Sequence, residues 1–391
     1  MSPDVDPRVA LLEKELELAK VQLPLPGWAD NDAVRPLVME ELVFSLIPET
    51  HERWIPSYGT LIIPRRGSFE RIPVSPLGLA RSMADGQASF TLYEKHRFRG
   101  VALFANPLRT ELEIVQQIRA LAAIAICRAP DGTVTLYSPQ GVVRHRLRVW
   151  STIQNVNTAV DRVVRCAPMV SRPILQNIME FALHGLSPAG IGATLVWMLS
   201  DAPVVAGQQT SDPNPIGLTV DSSVHTPALI QLLRQIDGAT VFSPDGHLLM
   251  TGVHLIPSDR AESLIRPTAG TRHTSARRFS FDRSDTIVVV VSEDGPVSVF
   301  SDGARLAHME PYSATGEAAL LRDLVPTKAE DVFDENFEAR CKQCGKYSSI
   351  EVVTVIGWKD RESANCPVCG KEIAARMCFH IEAVPMKRMK G

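Results

Sequence analysis

The sequence predicts an α/β protein: an N-terminal α/β domain, a second α/β domain with a central mixed β-sheet flanked by helices, and a small zinc ribbon. Three observations predict it. Strand-like apolar runs bounded by turn residues alternate with helix-period stretches over most of the chain. A fresh helix, loop and strand series begins near Ser171. Two Cys-x-x-Cys-Gly pairs, Cys341/Cys344 and Cys366/Cys369, lie close to the end. The expected divisions are an N-terminal helix and linker over 1–36, a first α/β domain over 37–165, a second over 171–310, a linker over 311–338 and the ribbon over 339–391.

Composition excludes several classes. Lys+Arg 41 against Asp+Glu 44 gives no whole-chain attraction to nucleic acid or anionic membrane, so any such binding needs a local patch. No apolar run approaches the roughly 18 residues of a membrane helix, and the charged N-terminal region lacks a cleavable signal pattern. A cytoplasmic protein with no membrane partner is expected. Four of seven cysteines sit in the two pairs, which favours a metal site in a reducing compartment over a disulfide framework.

Asp6-Pro7 starts an amphipathic helix read from Val9 to Leu23, and Leu23-Pro24-Leu25-Pro26-Gly27 stops it. Gly59 to Pro64, Ala88 to Tyr93 and Gly100 to Phe104 read as strands. Thr110-x-x-Glu113 is a capping box opening a helix, followed by a strand over Ala122 to Cys127, a Pro130-Asp131-Gly132 turn and a return strand over Thr133 to Tyr137. Arg144-His145-Arg146, among apolar residues, fits a strand with one wet face. A helix is then expected from Arg172 to His184, a glycine loop over Gly185 to Gly192 and a buried strand over Ala193 to Leu199. That loop has neither G-x-G-x-x-G nor a P-loop, so its glycines read as structural. Ala206 to Pro215 reads as a polar excursion, and Thr226-Pro227 starts a helix to about Gln235.

Candidate chemistry lies between Ile236 and Asp294. Asp237-Gly238-Ala239 joins that helix to a hairpin over Thr240 to Leu255. The carboxylate suits a divalent ion bridging phosphate oxygens, and the glycine lets a ligand or another backbone come close. Gly270-Thr271-Arg272-His273 opens a helix whose free amides and partial positive charge favour phosphate. Thr271 adds a hydroxyl, Arg272 a bidentate fork and His273 an imidazole, with Arg277 and Arg278 close behind. The apolar strand Ile287 to Val291 ends in Ser292-Glu293-Asp294. Together these stretches point to a metal-bound nucleotide carrying a phosphate chain.

In this order and spacing, the three motifs closely resemble the diadenylate cyclase domain, over about Ser171 to Arg305. The region before it loosely resembles the sensor domains found in front of such cyclases. The resemblance implies the diadenylate cyclase fold and a reaction joining two ATP molecules into cyclic di-AMP, with Mn2+ or Mg2+. It implies catalytic roles for Asp237, Thr271, Arg272 and His273, with Asp237 on the metal. Nucleotide contacts from Gly238, Ala239, Leu255, Gly270, Ser292 and Glu293 follow from it, as does a homo-oligomer with facing cyclase domains. One departure is Thr274, where an Arg often follows the His.

The cysteine pairs are separated by 21 residues with strand character at Glu351 to Trp358, as a structural Zn2+ site on Cys341, Cys344, Cys366 and Cys369 would have. From Arg340 to Gly391 there are ten Lys/Arg and five Asp/Glu, so a protein or nucleic-acid partner is open. Two rivals to a cyclase remain: a nucleotide sensor without turnover, and a nucleic-acid-binding protein with a vestigial cyclase domain.

Overall fold

The computed structural model describes residues 7–47, 55–153, 156–200, 217–267, 270–310, 313–314, 332–355, 361–378 and 380–386. The expected excursion at Ala206 to Pro215 and most of the expected linker lie outside these residues. The chain divides into two units, Met1–Asn155 with Pro311–Leu324, and Val156–Glu310 with Val325–Gly391. Among the described residues no helix is long and apolar enough to cross a membrane.

The first unit holds α1 (Pro7–Leu18), α2 (Arg35–Leu46), β1 (Tyr58–Ile63), β2 (Glu70–Ile72), α3 (Leu77–Met83), β3 (Ser89–Glu94), β4 (Arg97–Leu103), α4 (Glu111–Leu121), β5 (Ile124–Arg128), β6 (Val134–Ser138), β7 (Gly141–Arg146) and β8 (Val149–Ile153). Residues 313–314 pair with β8 and complete a sheet in the order 313–314, β8, β7, β6, β5, β1, β3, β4, β2. Only β1 and β3 run parallel among its neighbours. Helix α1 ends at Leu18, short of the expected Leu23. Lys20 turns left-handed (φ 53°), while Lys20 N–H donates to Glu17 O and Val21 N–H to Leu16 O, which satisfies the last carbonyls. Its Val9, Leu12 and Leu16 are buried in the same core as α2 and the sheet.

That core encloses a carboxylate. Glu41 on α2 is fully buried and accepts from Tyr58 Oη at 2.5 Å, Thr60 Oγ1 at 2.6 Å, Arg81 Nη2 at 2.7 Å and Tyr93 Oη at 2.9 Å. Burial, then the Glu41 charge, push both tyrosines above their ordinary range, so they stay protonated and donate.

The second unit continues with α5 (Val156–Cys166), α6 (Arg172–Glu180), β9 (Ala193–Met198), α7 (Thr226–Gln235), β10 (Ala239–Phe242), β11 (Leu248–Val253), α8 (Asp259–Leu264), α9 (Thr271–Asp282), β12 (Thr286–Val291), β13 (Val297–Ser301) and β14 (Ala304–Met309). A π-type turn, Phe181–Leu186, extends α6 where an ordinary helix was expected to run to His184. The sheet order is β11, β10, β9, β12, β13, β14, with β9 and β10 parallel and its other neighbouring strands antiparallel. Strands β9 and β12 are buried at every position, as central strands covered on both faces must be. Ala276 and Phe279 of α9 pack into the core that β9, β10, β12 and β13 share.

The cysteine-bearing segment belongs to this same unit. Val332–Arg340, Tyr347–Val355 and His380–Met386 form a three-stranded antiparallel sheet, and Arg361–Asn365 with Glu372–Met377 a hairpin. Strand pairing therefore starts at Val332, inside the stretch expected to be linker.

Candidate functional site

Sheet register brings the candidate residues to one edge. Ala193 at the start of β9 pairs with Val291 at the end of β12, and Thr194 pairs with Ala239 at the start of β10. Gly192, Asp237-Gly238 and Ser292-Glu293 therefore emerge side by side. The N-terminus of α9 closes the group because α9 packs on β12 and β13.

Asp237 follows α7 and is exposed, its Oδ1 accepting the Gly238 N–H at 2.9 Å. Gly238 has φ 91°, and a Cβ there would come within 2.9 Å of the Gly252 carbonyl carbon. The glycine thus admits the neighbouring β11 backbone. Gly270, at φ 88°, is the N-cap of α9 and offers no side-chain cap, which leaves the first-turn amides unsatisfied by one. Arg272 Nη1 pairs with Glu293 Oε1 at 3.0 Å on the surface, where such a pair is worth little and exchanges easily. Ser292 and Gly295 make the turn after β12, with Gly295 N–H to Ser292 O at 3.0 Å and Ser292 N–H to Pro296 O at 2.9 Å.

One cavity of about 490 Å³ is lined by Asp237, Gly270, Thr271, Arg272, His273, Ser292 and Glu293 together with the end of β12. Stretches more than 50 residues apart in sequence thus share one space. A second cavity of about 510 Å³ shares Asp237, Arg272 and Glu293 with it and continues along Gly190 and Gly192 to the end of α7. Three expected contact residues stand back from both. Gly238 lies behind Asp237, Ala239 is buried in β10, and Leu255 packs half-buried on the core beneath.

Gly192 was expected to be merely structural, yet a Cβ on it would come within 2.3 Å of Arg272 Nη1 and 2.7 Å of Glu293 Cγ. Sequence reasoning missed this because no motif marks the loop. The Arg144-His145-Arg146 triplet lies elsewhere, in β7 of the first unit. There Arg144 pairs with Glu111 at 2.6 Å, and His145 stacks near Trp150.

His273 is half-buried edge-on against Phe300, ring centroids 5.9 Å apart. Burial, followed by the charges of His308 and Arg305, holds its imidazole below the usual histidine range, with Asp294 opposing. The ring is therefore neutral at neutral pH. Asp237 and Glu293 on one cavity form a donor set suited to Mg2+ or Mn2+, which take one or two carboxylates beside a nucleotide's own oxygens.

The four paired cysteines converge, all Sγ atoms within 4.8 Å of one another. Cys341 to Cys369 is 3.5 Å and Cys344 to Cys366 is 3.6 Å, close to the about 3.8 Å that tetrahedral Zn–S bonds of about 2.3 Å require. Both pairs form the same knuckle. Gly345 and Gly370 each have φ 76°, and their amides donate back to Cys341 O at 2.9 Å and Cys366 O at 2.8 Å. A hydrogen bond from Cys344 and backbone amides of Cys369 and Val368 draw the Cys366 thiol towards thiolate. Cys378 is buried outside this cluster, its Sγ facing Arg376 O. Both knuckles touch the six-stranded α/β fold of the same unit: Arg277 Nη2 donates to Pro367 O at 3.1 Å and Val368 O at 2.7 Å, and Lys346 pairs with Asp302 at 2.8 Å.

Two family models match the chain. Residues 180–305 match the family described as DisA bacterial checkpoint controller nucleotide-binding (DAC), a span that contains every residue lining the 490 Å³ cavity. Residues 14–153 match the family described as Probable sensor domain DACNK. Curated proteins yielded no match.

Proposed function

We propose, for a chain that is a diadenylate cyclase domain protein with a DACNK sensor domain in front, that it condenses two ATP into cyclic di-AMP and two pyrophosphates. The convergence of Asp237, Thr271-Arg272-His273 and Ser292-Glu293 on one cavity carries the reading. In each half-reaction the 3′-oxygen of one ATP bonds to the α-phosphorus of the other. The bond from that phosphorus to the pyrophosphate oxygen breaks, and the hydroxyl proton departs.

Phosphoryl-group displacement of this kind rests on positioning and charge stabilisation. The first-turn amides of α9 and the Thr271 hydroxyl hold phosphate oxygens. Arg272, released from Glu293, gives them a two-pronged cationic donor, and Ser292 donates towards the far end of the chain. Asp237 orients the 3′-hydroxyl. Asp237, with Glu293 in the same cavity, would hold Mg2+ or Mn2+, which would supply neutralisation of the charge that builds on the departing pyrophosphate. A single domain binds one ATP and presents half the reaction centre, so a second chain must face it. The 510 Å³ cavity, which shares Asp237, Arg272 and Glu293, is the side we assign to the opposing nucleotide.

The first unit serves as the regulatory sensor, and the ribbon supplies a structural Zn2+ site and a surface for a protein or nucleic-acid partner. A reducing cytoplasm suits its thiolates. A second reading, nucleotide sensing without turnover, draws on Thr274, whose hydroxyl donates to Gly270 O at 3.1 Å within its own helix. Incubating the full-length protein with ATP and Mn2+ and weighing the product by mass spectrometry separates the two. The expected result is cyclic di-AMP, with specific activity rising with protein concentration where the facing assembly is transient. ATP binding without cyclic dinucleotide at any protein concentration or metal overturns the cyclase reading.

A further inference from the structure

Arg277 stands half-buried, two turns into α9. Its Nε donates at 2.7 Å to Gly303 O, in the turn between β13 and β14, and its Nη2 donates to Pro367 O at 3.1 Å and Val368 O at 2.7 Å. Pro367 and Val368 are the residues between Cys366 and Cys369. One guanidinium therefore grips the backbone of the second knuckle from the face of α9, with the planar fork that suits Arg and not Lys.

The carbonyls satisfy its N–H groups, and the sulfurs supply its counter-charge. Burial and then the charge of Arg305 disfavour the Arg277 cation, while Cys366 and Cys369 oppose both. Four thiolates on one divalent ion keep a net negative charge, so a loaded site sets that charge beside Arg277. The first knuckle is fixed to the same ground. Lys346, two residues after Cys344, pairs with Asp302 at 2.8 Å, and its ammonium lies 5.0 Å from the centre of the Phe281 ring of α9. Next to Asp302, a Cβ on Gly303 would come within 2.9 Å of Phe281, so turn and helix pack as one surface. A cation fixes each knuckle to it.

Helix α9 joins this surface to the candidate site. Arg277 lies about 10 Å along the axis from Gly270, and the turns between them begin with Thr271-Arg272-His273. Ala276 and Phe279 are buried in the core, which leaves the helix little freedom to move one end without the other.

We propose that Arg277 is an outer-sphere residue of the cysteine site and a positioning residue for the nucleotide site, so that metal on the four cysteines and nucleotide at the start of α9 bind cooperatively. The metal end stands on the knuckle geometry alone, while the nucleotide end rests on the reading given under Proposed function. Each ligand needs α9 in one place, and each therefore favours the other by the same factor.

Co2+ is the metal probe, since its thiolate absorption reports the cysteine site, and the α,β-methylene analogue of ATP with Mg2+ is the nucleotide that cannot be cyclised. Chelator competition on the full-length protein gives the Co2+ affinity with and without the analogue. Saturating analogue is expected to tighten Co2+ about fivefold or more, and Co2+ to tighten the analogue equally. Arg277→Met is expected to weaken Co2+ by about tenfold to a hundredfold and to bring the coupling factor to one. Arg277→Lys, which keeps the charge and loses the fork, is the milder variant and is expected to fall between on both readouts. Co2+ affinity unchanged in both variants overturns the outer-sphere role, and coupling that persists in Arg277→Met overturns the positioning role. An analogue that binds the wild type equally with and without Co2+ removes the cooperativity and leaves the nucleotide reading standing. Absence of analogue binding at any metal loading sinks the nucleotide reading instead, while Co2+ affinity that depends on Arg277 keeps the outer-sphere role.

Discussion

On the proposed reading Asp237 is the residue on which the chemistry turns most directly, and its surroundings make it testable. The carboxylate is exposed and, among the described residues, accepts the next amide of its own backbone. Asp237→Asn is therefore expected to lower cyclic di-AMP formation by about a hundredfold or more, with little change in melting temperature. Full activity would refute its metal role. His273 is the pH-sensitive member. Its pKa is lowered in the fold, so the unfolded chain takes up the proton first. Stability is complete above about pH 6.5 and falls as pH drops below it. His273→Gln should flatten that acid-side loss in melting curves between about pH 7 and 5, and parallel curves would rule the assignment out. Asp237, just after α7, and Thr271-Arg272-His273, opening α9, could be picked out as candidates from sequence because both lie at element ends that periodicity and capping signals mark. Gly192 could not, since its place beside Arg272 and Glu293 comes from register across the sheet. The pairing of Ala193 with Val291 is what sets Gly192 beside Glu293.

At the scale of elements, the strongest local signals became the expected structures. The Thr110 capping box is present in both directions, Glu113 N–H donating to Thr110 Oγ1 at 3.2 Å and Thr110 N–H to Glu113 Oε2 at 2.8 Å. The fully apolar run before Ser292 is the buried β12. The end of α1 and the π-type turn after α6 were less legible, because Lys20 in a left-handed cap and a widened turn are settled by neighbours, not by propensity. Helix α2 carries a feature that no periodicity reveals, the charged Glu41 on a buried face. Tyr58 and Thr60 reach it from β1, Tyr93 from β3 and Arg81 from α3. Glu41→Ala strands the Arg81 charge and three hydroxyl donors. The first unit is expected to lose about 3–5 kcal/mol in urea unfolding. A loss below about 1 kcal/mol would show that the network has no such weight.

For the whole molecule, a Zn2+ ion on the four cysteines would couple metal and fold. Stripping it with a chelator, or Cys366→Ser, is then expected to remove folding free energy of the ribbon on the order of 10 kcal/mol. Because Pro367 and Val368 hold Arg277, hydrogen exchange should quicken in α9 as well as in the ribbon. Protection of α9 that is indifferent to zinc would uncouple them. A further consequence concerns how the protein is cut. The first unit is not one contiguous piece, since residues 313–314 return to pair with β8 after the second unit's main sheet is complete. A fragment ending at Asn155 bares the outer backbone at Ser151 and Thr152, on the edge of what is then an eight-stranded sheet, an open template for another chain. Self-association of such a fragment would report on the knife, and a fusion carrying residues 313–314 behind Ile153 would restore the missing neighbour.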